Sequence, residues 1–102
     1  EVIIDFKEEG DGRLIVEISS YSPYCSKEES IQIFNKGFRG KNARKVSDGS
    51  GIGLYFVKML CDLHNVQIQA ESDGGRITEI SGVAYAPFKY ILTFNDTFHA
   101  EK

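Results

Sequence analysis

A glycine-rich turn runs directly into an amphipathic segment in the middle of this chain. The turn consists of Gly49, Ser50, Gly51, Ile52, Gly53 and Leu54. Glycines lack a Cβ, so a ligand can approach their backbone closely. The first amides of a helix have no intrahelical partner, and the helix dipole places partial positive charge there. A glycine turn that opens into a helix therefore predicts an anion site suited to phosphate groups.

The spacing of apolar residues after the turn predicts a helix over roughly residues 50–64. These residues form one stripe along a helix: Ile52, Phe56, Met59, Leu60 and Leu63. Two other phosphate-binding loops are excluded, because no Gly-Lys-Ser/Thr follows the glycines and their spacing departs from the dinucleotide-binding pattern. Taken alone, the spaced glycines are equally compatible with a simple tight turn, so the neighbouring segments must decide.

A basic segment precedes the glycine turn. Residues 36–45 contain five of the twelve basic side chains and none of the fifteen acidic ones. This segment is either solvated surface charge or the flexible side of an anion pocket. Its position next to a phosphate-type turn favours the anion pocket. The net charge of −3 argues against general nucleic-acid binding.

The first half of the chain predicts a hairpin and a short helix. Strand-like runs at 2–7 and 13–19 flank an Asp-Gly turn, and alternation in the second run predicts one buried face. A loop follows at 20–26. Ser26 and Glu29 form a capping box, which predicts a helix ending near Phe34. Residues 35–49 lack periodicity, so we expect a mobile loop there.

The second half predicts strands at 66–71, 76–85 and 88–94. Asn65 is an acceptable helix stop, and Pro87 favours a break between the last two strands. Strands, helix, loop, helix and strands in this order predict an α+β sandwich, with helices on one face of a mainly antiparallel sheet.

The length and composition limit what the chain can be. Its 102 residues make one small domain or a piece of one. Because the one methionine is Met59, we expect residues 1–102 to be a single partial domain of a longer protein. No apolar stretch reaches the length of a membrane span, and no signal peptide is visible. Cys25 and Cys61 lack the spacing of metal ligands, and we expect both to be free thiols in a reducing compartment.

Three segments together resemble the ATP-binding catalytic domain of sensor histidine kinases, whose superfamily includes gyrase, heat-shock chaperones and mismatch-repair ATPases. Residues 33–40 resemble the phenylalanine-containing box of that family, residues 35–49 its ATP lid, and residues 49–54 its second glycine box. The resemblance runs from about residue 13 to Phe94. It implies a two-layer α/β sandwich, with a mixed, mainly antiparallel sheet, of which this chain is the C-terminal portion lacking the N-terminal helix.

The resemblance implies roles for individual residues. The turn, with the Ser50 hydroxyl, would surround the phosphates of ATP, and Phe34 and Phe38 would anchor the lid on the core. The basic lid residues expected to reach the phosphates are Arg39, Lys41 and Arg44. Magnesium would accompany ATP in the longer protein, held by an asparagine on the upstream helix. We assign no catalytic and no metal-binding residue here, and expect this chain alone to be inactive.

The chain departs from the family pattern where the base of ATP should bind. The aspartate that accepts a hydrogen bond from the adenine amino group corresponds to Ser20, and glycine positions correspond to Ser22 and Tyr24. A serine hydroxyl is shorter and uncharged but still accepts a hydrogen bond. Tyr24 either fills the adenine pocket or swings aside.

The function implied is autophosphorylation in the longer protein: the γ-phosphate passes to a histidine on the dimerisation domain and then to a response regulator. This places the domain in the cytoplasm and leaves a membrane anchor elsewhere open. The alternative is a degenerate, non-catalytic kinase-like module that binds partner proteins; a DNA-repair or chaperone relative fits less well. Without the N-terminal helix, Val2, Ile4 and Phe6 would be exposed, so we expect a homodimer.

Overall fold

An antiparallel sheet with helices on one face forms the framework of the chain. The computed structural model describes residues 2–46 and 53–95. Its strands are β1 Ile3–Glu8, β2 Leu14–Pro23, β3 Val66–Ser72, β4 Thr78–Ile80 and β5 Val83–Phe94, and its helices are α1 Lys27–Gln32, α2 Lys41–Arg44 and α3 Gly53–Leu63. The strand order is β1-β2-β5-β3, and β4 also pairs with β5. The predicted fold class is confirmed.

Strand β2 is longer than the sequence predicted. The segment expected to begin a loop at residue 20 stays in the sheet as far as Pro23, which pairs with Tyr85. The reason is tertiary, because β5 is long enough to supply hydrogen-bonding partners along the whole of β2. The predicted burial of one β2 face is also wrong, since residues 14–20 are all half-buried.

The region predicted as strand 76–85 is instead a hairpin, and β5 does not break at Pro87. Ser81 and Gly82 have positive φ, which suits a two-residue turn between β4 and β5. The Pro87 carbonyl accepts from the Asp73 N–H at 3.0 Å. The nitrogen and the carbonyl of one strand residue point to the same side, so the Pro87 nitrogen also faces the turn between β3 and β4. No strand residue there needs its missing hydrogen, and no ladder bond is lost.

The core lies where α1 and the lid meet β3 and β5. Cys25, Ile33 and Phe88 are buried together, and partly buried side chains pack on them: Phe34, Phe38, Leu54, Ala70 and Tyr90. The predicted capping box is confirmed, with Ser26 and Glu29 bonded reciprocally. Helix α3 stops at Asn65, which has φ of 63°, as expected of a helix stop.

The apolar stripe predicted for α3 does not pack on the core. Phe56 is 52% exposed and Leu63 is 75% exposed, whereas Cys61, on a different face, is buried. Met59 and Leu60 are also exposed, and Ile52 lies outside the described residues. On β1 the predicted exposure is confirmed, since Phe6 is 66% exposed.

Candidate functional site

An apolar pocket of about 220 Å³ lies between the sheet and the base of the lid. Its walls come from distant parts of the chain: Ile33 from the end of α1, Phe38 from the lid, Leu54 from α3, and Phe88 and Tyr90 from β5. Phe88 and Tyr90 contact each other with ring centroids 5.1 Å apart. A half-open cavity with aromatic and aliphatic walls is the usual setting for a flat, partly apolar ligand.

Two serine hydroxyls provide hydrogen-bonding capacity at the pocket. Ser22 lines the pocket, and its Oγ lies 2.8 Å from the Oγ of Ser20. Each hydroxyl can donate and accept, so Ser22 can bond to Ser20 and still offer a donor or an acceptor at the pocket wall. Among the described residues no carboxylate lines this pocket. The predicted contact of Ser20 with a ligand stays a prediction, and the structure places Ser22 at the wall.

Tyr24 lies outside this pocket. A Cβ added to Gly74 would be 3.1 Å from the Tyr24 hydroxyl oxygen, so the ring lies against the turn after β3. There Tyr24 lines a separate, wider cleft of about 700 Å³. Tyr24 therefore does not fill the apolar pocket.

The first part of the lid is ordered against the core, contrary to the expected mobile loop. Residues 41–44 form α2, whose backbone is tied to α1 because the Lys41 N–H donates to Glu29 Oε2 at 2.8 Å. The Lys45 Nζ donates to the Gly82 carbonyl at 3.0 Å. The sequence signal was missed because a four-residue helix is too short to show periodicity.

Of the three basic lid residues predicted as ligand contacts, one lines the apolar pocket and two do not. Arg39 is half-buried and lines the apolar pocket. Its Nη2 donates a hydrogen bond to the Ala43 carbonyl at 3.1 Å. Lys41 and Arg44 are exposed and do not line the pocket. Their contact with a ligand stays a prediction.

Part of the predicted glycine turn lies outside the described residues, namely residues 49–52. Gly53 is the first residue of α3, and Leu54 reaches the pocket wall. The N-terminal end of α3 therefore lies beside the pocket. Its unpaired amides and the positive end of its dipole favour an anionic group there.

Two residues that the sequence did not single out lie at or next to the pocket: Gly40 lines it, and Asn42 is close to it in the chain. Gly40 comes close to Cys25, since a Cβ on Gly40 would be 3.3 Å from the Cys25 Sγ. Asn42 is buried, although it lies in a polar segment. An asparagine in a charged loop gives no sequence signal of burial, because its partners come from distant strands.

Two titratable groups on the pocket wall, the Cys25 thiol and the Tyr90 hydroxyl, have raised pKa values. Burial and, to a smaller extent, the nearby Glu29 charge together raise the pKa of the Cys25 thiol to about 11. Burial, followed by the Cys25 charge, raises the pKa of Tyr90. Cys25 is therefore a poor nucleophile at neutral pH. Within residues 2–46 and 53–95, no three His, Cys, Asp or Glu side chains gather to hold a metal ion.

Comparison with known proteins gives consistent matches. The family model described as histidine kinase-, DNA gyrase B-, and HSP90-like ATPase matches residues 1–88. Sensor histidine kinase YxdK of Bacillus subtilis (strain 168) is 26% identical over 70 residues, covering 69% of this chain and 22% of YxdK. The solved structure of the mycobacterial sensor histidine kinase MprB superposes with a TM-score of 0.66 at 21% identity, covering 92% of this chain and 59% of that one. The chain thus spans about a fifth of the length of YxdK.

Proposed function

The chain belongs to the histidine kinase-, DNA gyrase B-, and HSP90-like ATPase family, as the sequence resemblance predicted, and we propose that its apolar pocket holds the adenine ring of ATP. The similarity to two sensor histidine kinases supports its assignment to the ATP-binding catalytic domain of a two-component sensor kinase. The observation that carries the proposal is the pocket itself, because its walls are aromatic and aliphatic and its polar groups are few.

The arrangement around the pocket supports an orientation for the nucleotide. The base would lie against Phe88 and Leu54, with the Ser22 hydroxyl in reach of its polar edge. The phosphates would extend toward the start of α3, where Gly53 and Leu54 offer backbone amides. Arg39 supplies positive charge at the same wall, and we propose that Lys41 and Arg44 approach the phosphates from the lid.

The activity of the longer protein is part of the proposal. There the γ-phosphate of ATP would pass to a histidine of the dimerisation domain and then to a response regulator. Magnesium would be held by residues outside the described part of this chain, in which no acidic or histidine cluster fits it. We place this domain in the cytoplasm. Among the described residues, no helix has the length and hydropathy to cross a bilayer.

Calorimetric titration of magnesium-ATP into the intact protein tests nucleotide binding. Gly53→Val is a suitable variant, because a Cβ there meets no atom of the described residues within 4 Å, so added bulk obstructs the phosphate region with little effect on their packing. Gly10→Val is the matched control, since Gly10 also has open space and lies in the distant hairpin turn. We expect Gly53→Val to weaken binding at least tenfold and Gly10→Val to leave it unchanged.

A non-catalytic, partner-binding module is the second candidate function. It is favoured by Ser20, which corresponds to the aspartate of the family pattern and whose hydroxyl lies 2.8 Å from that of Ser22. Loss of a charged hydrogen-bonding partner costs on the order of 1–3 kcal/mol, or roughly tenfold to hundredfold in affinity. Absence of heat and of thermal stabilisation at millimolar ATP would overturn the nucleotide proposal and support this second function.

We also propose that the isolated 102-residue chain forms a homodimer. Within residues 2–46 and 53–95, edge strand β1 has no partner on its outer side, and Ile3 and Phe6 on it are 58% and 66% exposed. The α3 stripe adds further exposed apolar side chains, including Leu60 and Leu63. Apolar surface of this extent favours association, and an open sheet edge favours strand pairing.

Analytical ultracentrifugation of residues 1–102 tests self-association. Phe6→Lys should shift the chain toward monomer without unfolding it, because the side chain is mostly exposed in the monomer. Ile31→Lys is the control, since Ile31 is 75% exposed but lies on α1, away from both apolar sets. A monomer at high concentration in the unmodified chain would contradict the proposal.

A further inference from the structure

Asn42 is a buried polar side chain whose two hydrogen bonds both go to backbone of distant strands. It is 7% exposed, and it is the one buried polar residue in the part of the chain that the structure describes. Its Nδ2 donates to the Tyr24 carbonyl at 3.1 Å, and its Oδ1 accepts from the Ala84 N–H at 3.2 Å. Both ends of the amide are therefore satisfied, as a buried amide requires.

The two backbone partners of Asn42 lie where the β2–β5 ladder ends. The last register pair is Pro23 with Tyr85, and one further bond runs from the Tyr24 N–H to the Ala84 carbonyl at 2.8 Å. The remaining carbonyl of Tyr24 and N–H of Ala84 are the groups that Asn42 binds. Its side-chain amide thus continues the ladder in place of a strand residue.

A second anchor acts on the adjacent residue. Helix α2 has no side-chain cap at Gly40, and its first N–H, from Lys41, is accepted by Glu29 Oε2 at 2.8 Å. The other oxygen of the same carboxylate accepts from the Ser26 N–H at 3.0 Å. A helix of four residues has almost no stability of its own, so its position depends on these external bonds.

The two residues held by these bonds, Lys41 and Asn42, lie between residues that form the pocket wall. Arg39, Gly40 and Ala43 line the apolar pocket, whereas Lys41 and Asn42 between them do not. We propose that Asn42, assisted by Glu29, is a positioning residue for nucleotide binding: it holds the lid side of the pocket against the sheet without touching the nucleotide. This inference rests on the proposed ATP-binding function and adds the residues on which affinity depends.

ATP titration of the intact protein, with its unfolding midpoint measured without nucleotide, tests the inference. Asn42→Ala removes both bonds to the strands, and we expect ATP affinity to fall about tenfold. The control is Val66→Ala, which removes buried volume at the first residue of β3, outside the pocket lining. Val66→Ala should lower the unfolding midpoint while leaving the dissociation constant for ATP within twofold.

A second variant keeps the test decisive if Asn42→Ala does not fold. Glu29→Gln retains one acceptor oxygen in place of two, and we expect ATP to bind two- to fivefold more weakly. Unchanged affinity in every folded Asn42 and Glu29 variant would overturn this inference alone. Failure of the unmodified protein to bind ATP would instead overturn the proposed function, and this inference with it.

Discussion

The Glu29 carboxylate and the Lys41 backbone N–H are joined by a hydrogen bond of 2.8 Å across twelve residues of sequence. The same carboxylate closes the capping box of α1 through the Ser26 N–H. One acidic side chain therefore fixes the beginnings of two consecutive helices. Lys41 directly follows Gly40, which lines the apolar pocket.

Removing the Glu29 carboxylate should destabilise the fold more than its position on the surface suggests. In Glu29→Ala, two backbone N–H groups lose a charged acceptor, so we expect a loss of about 2 kcal/mol in the free energy of unfolding. Urea unfolding of the intact protein measures it. Glu28→Ala is the matched control, because Glu28 is the exposed neighbour in the same turn. Equal losses in the two variants would show that the two bonds contribute little.

Close packing of Gly40 on Cys25 predicts a non-additive pair of substitutions. In Gly40→Ala the new Cβ lies 3.3 Å from the Cys25 Sγ, and we expect a loss of about 1 kcal/mol in unfolding free energy from crowding. Cys25→Ala removes that sulfur, so the double variant should lose less than the sum of the two single losses. Gly10→Ala, with open space at its Cβ, should cost nothing from crowding. Strict additivity would contradict the crowding explanation.

The raised pKa of Cys25, about 11, predicts a specific pH dependence. The ordinary pKa of a cysteine thiol is 9.0, so above that pH the unfolded chain releases a proton that the folded chain keeps. The thiol's contribution to stability is therefore complete below about pH 9 and falls as the pH rises toward 11. Unfolding measured at a series of alkaline pH values should show a shallower decline for Cys25→Ala than for the unmodified protein. Parallel curves would contradict the assignment.

The buried thiol should also react slowly with alkylating reagents. At pH 8 Cys25 is both shielded and protonated, so iodoacetamide should modify it only after unfolding in urea. Mass spectrometry of the modified peptides distinguishes Cys25 from Cys61, whose pKa is also raised by burial. Rapid modification of Cys25 in the folded protein would mean that the pocket opens frequently.

The hydroxyl pair predicts unequal effects on nucleotide binding. Ser22 lines the pocket, so Ser22→Ala should weaken ATP binding about fivefold, equivalent to about 1 kcal/mol. Ser20 meets Ser22 at 2.8 Å and does not line this pocket, so Ser20→Ala should have a smaller effect. Ser19→Ala, on the neighbouring residue of β2, should have none. A larger loss in Ser20→Ala than in Ser22→Ala would place the ligand contact on Ser20.

Local sequence patterns predicted the elements whose determinants are local. The capping box needs only Ser26 and Glu29, the hairpin between β1 and β2 needs a tight turn, and Asn65 tolerates the left-handed backbone that ends α3. Each depends on groups a few residues apart, so spacing alone identifies them. The order of phenylalanine box, lid and glycine turn carried the family resemblance in the same way.

Other features depended on partners far away in the chain. The composition of residues 20–23 predicted a loop, and Pro87 predicted a break between two strands. Both lie within strands, because β2 and β5 pair along the whole of β2. The apolar stripe of α3 has helical spacing, which correctly predicted a helix. Spacing alone does not show whether another element of the chain packs against the stripe, and its described residues are exposed.

The sequence by itself determined the family and the sandwich of helices on a sheet. Tertiary structure alone decided that Tyr24 points away from the apolar pocket, that Ser22 lines it, and that Asn42 is buried. The physical reason is that these outcomes depend on backbone groups and side chains brought together from sequence separations of up to about fifty residues. No local pattern records such pairings.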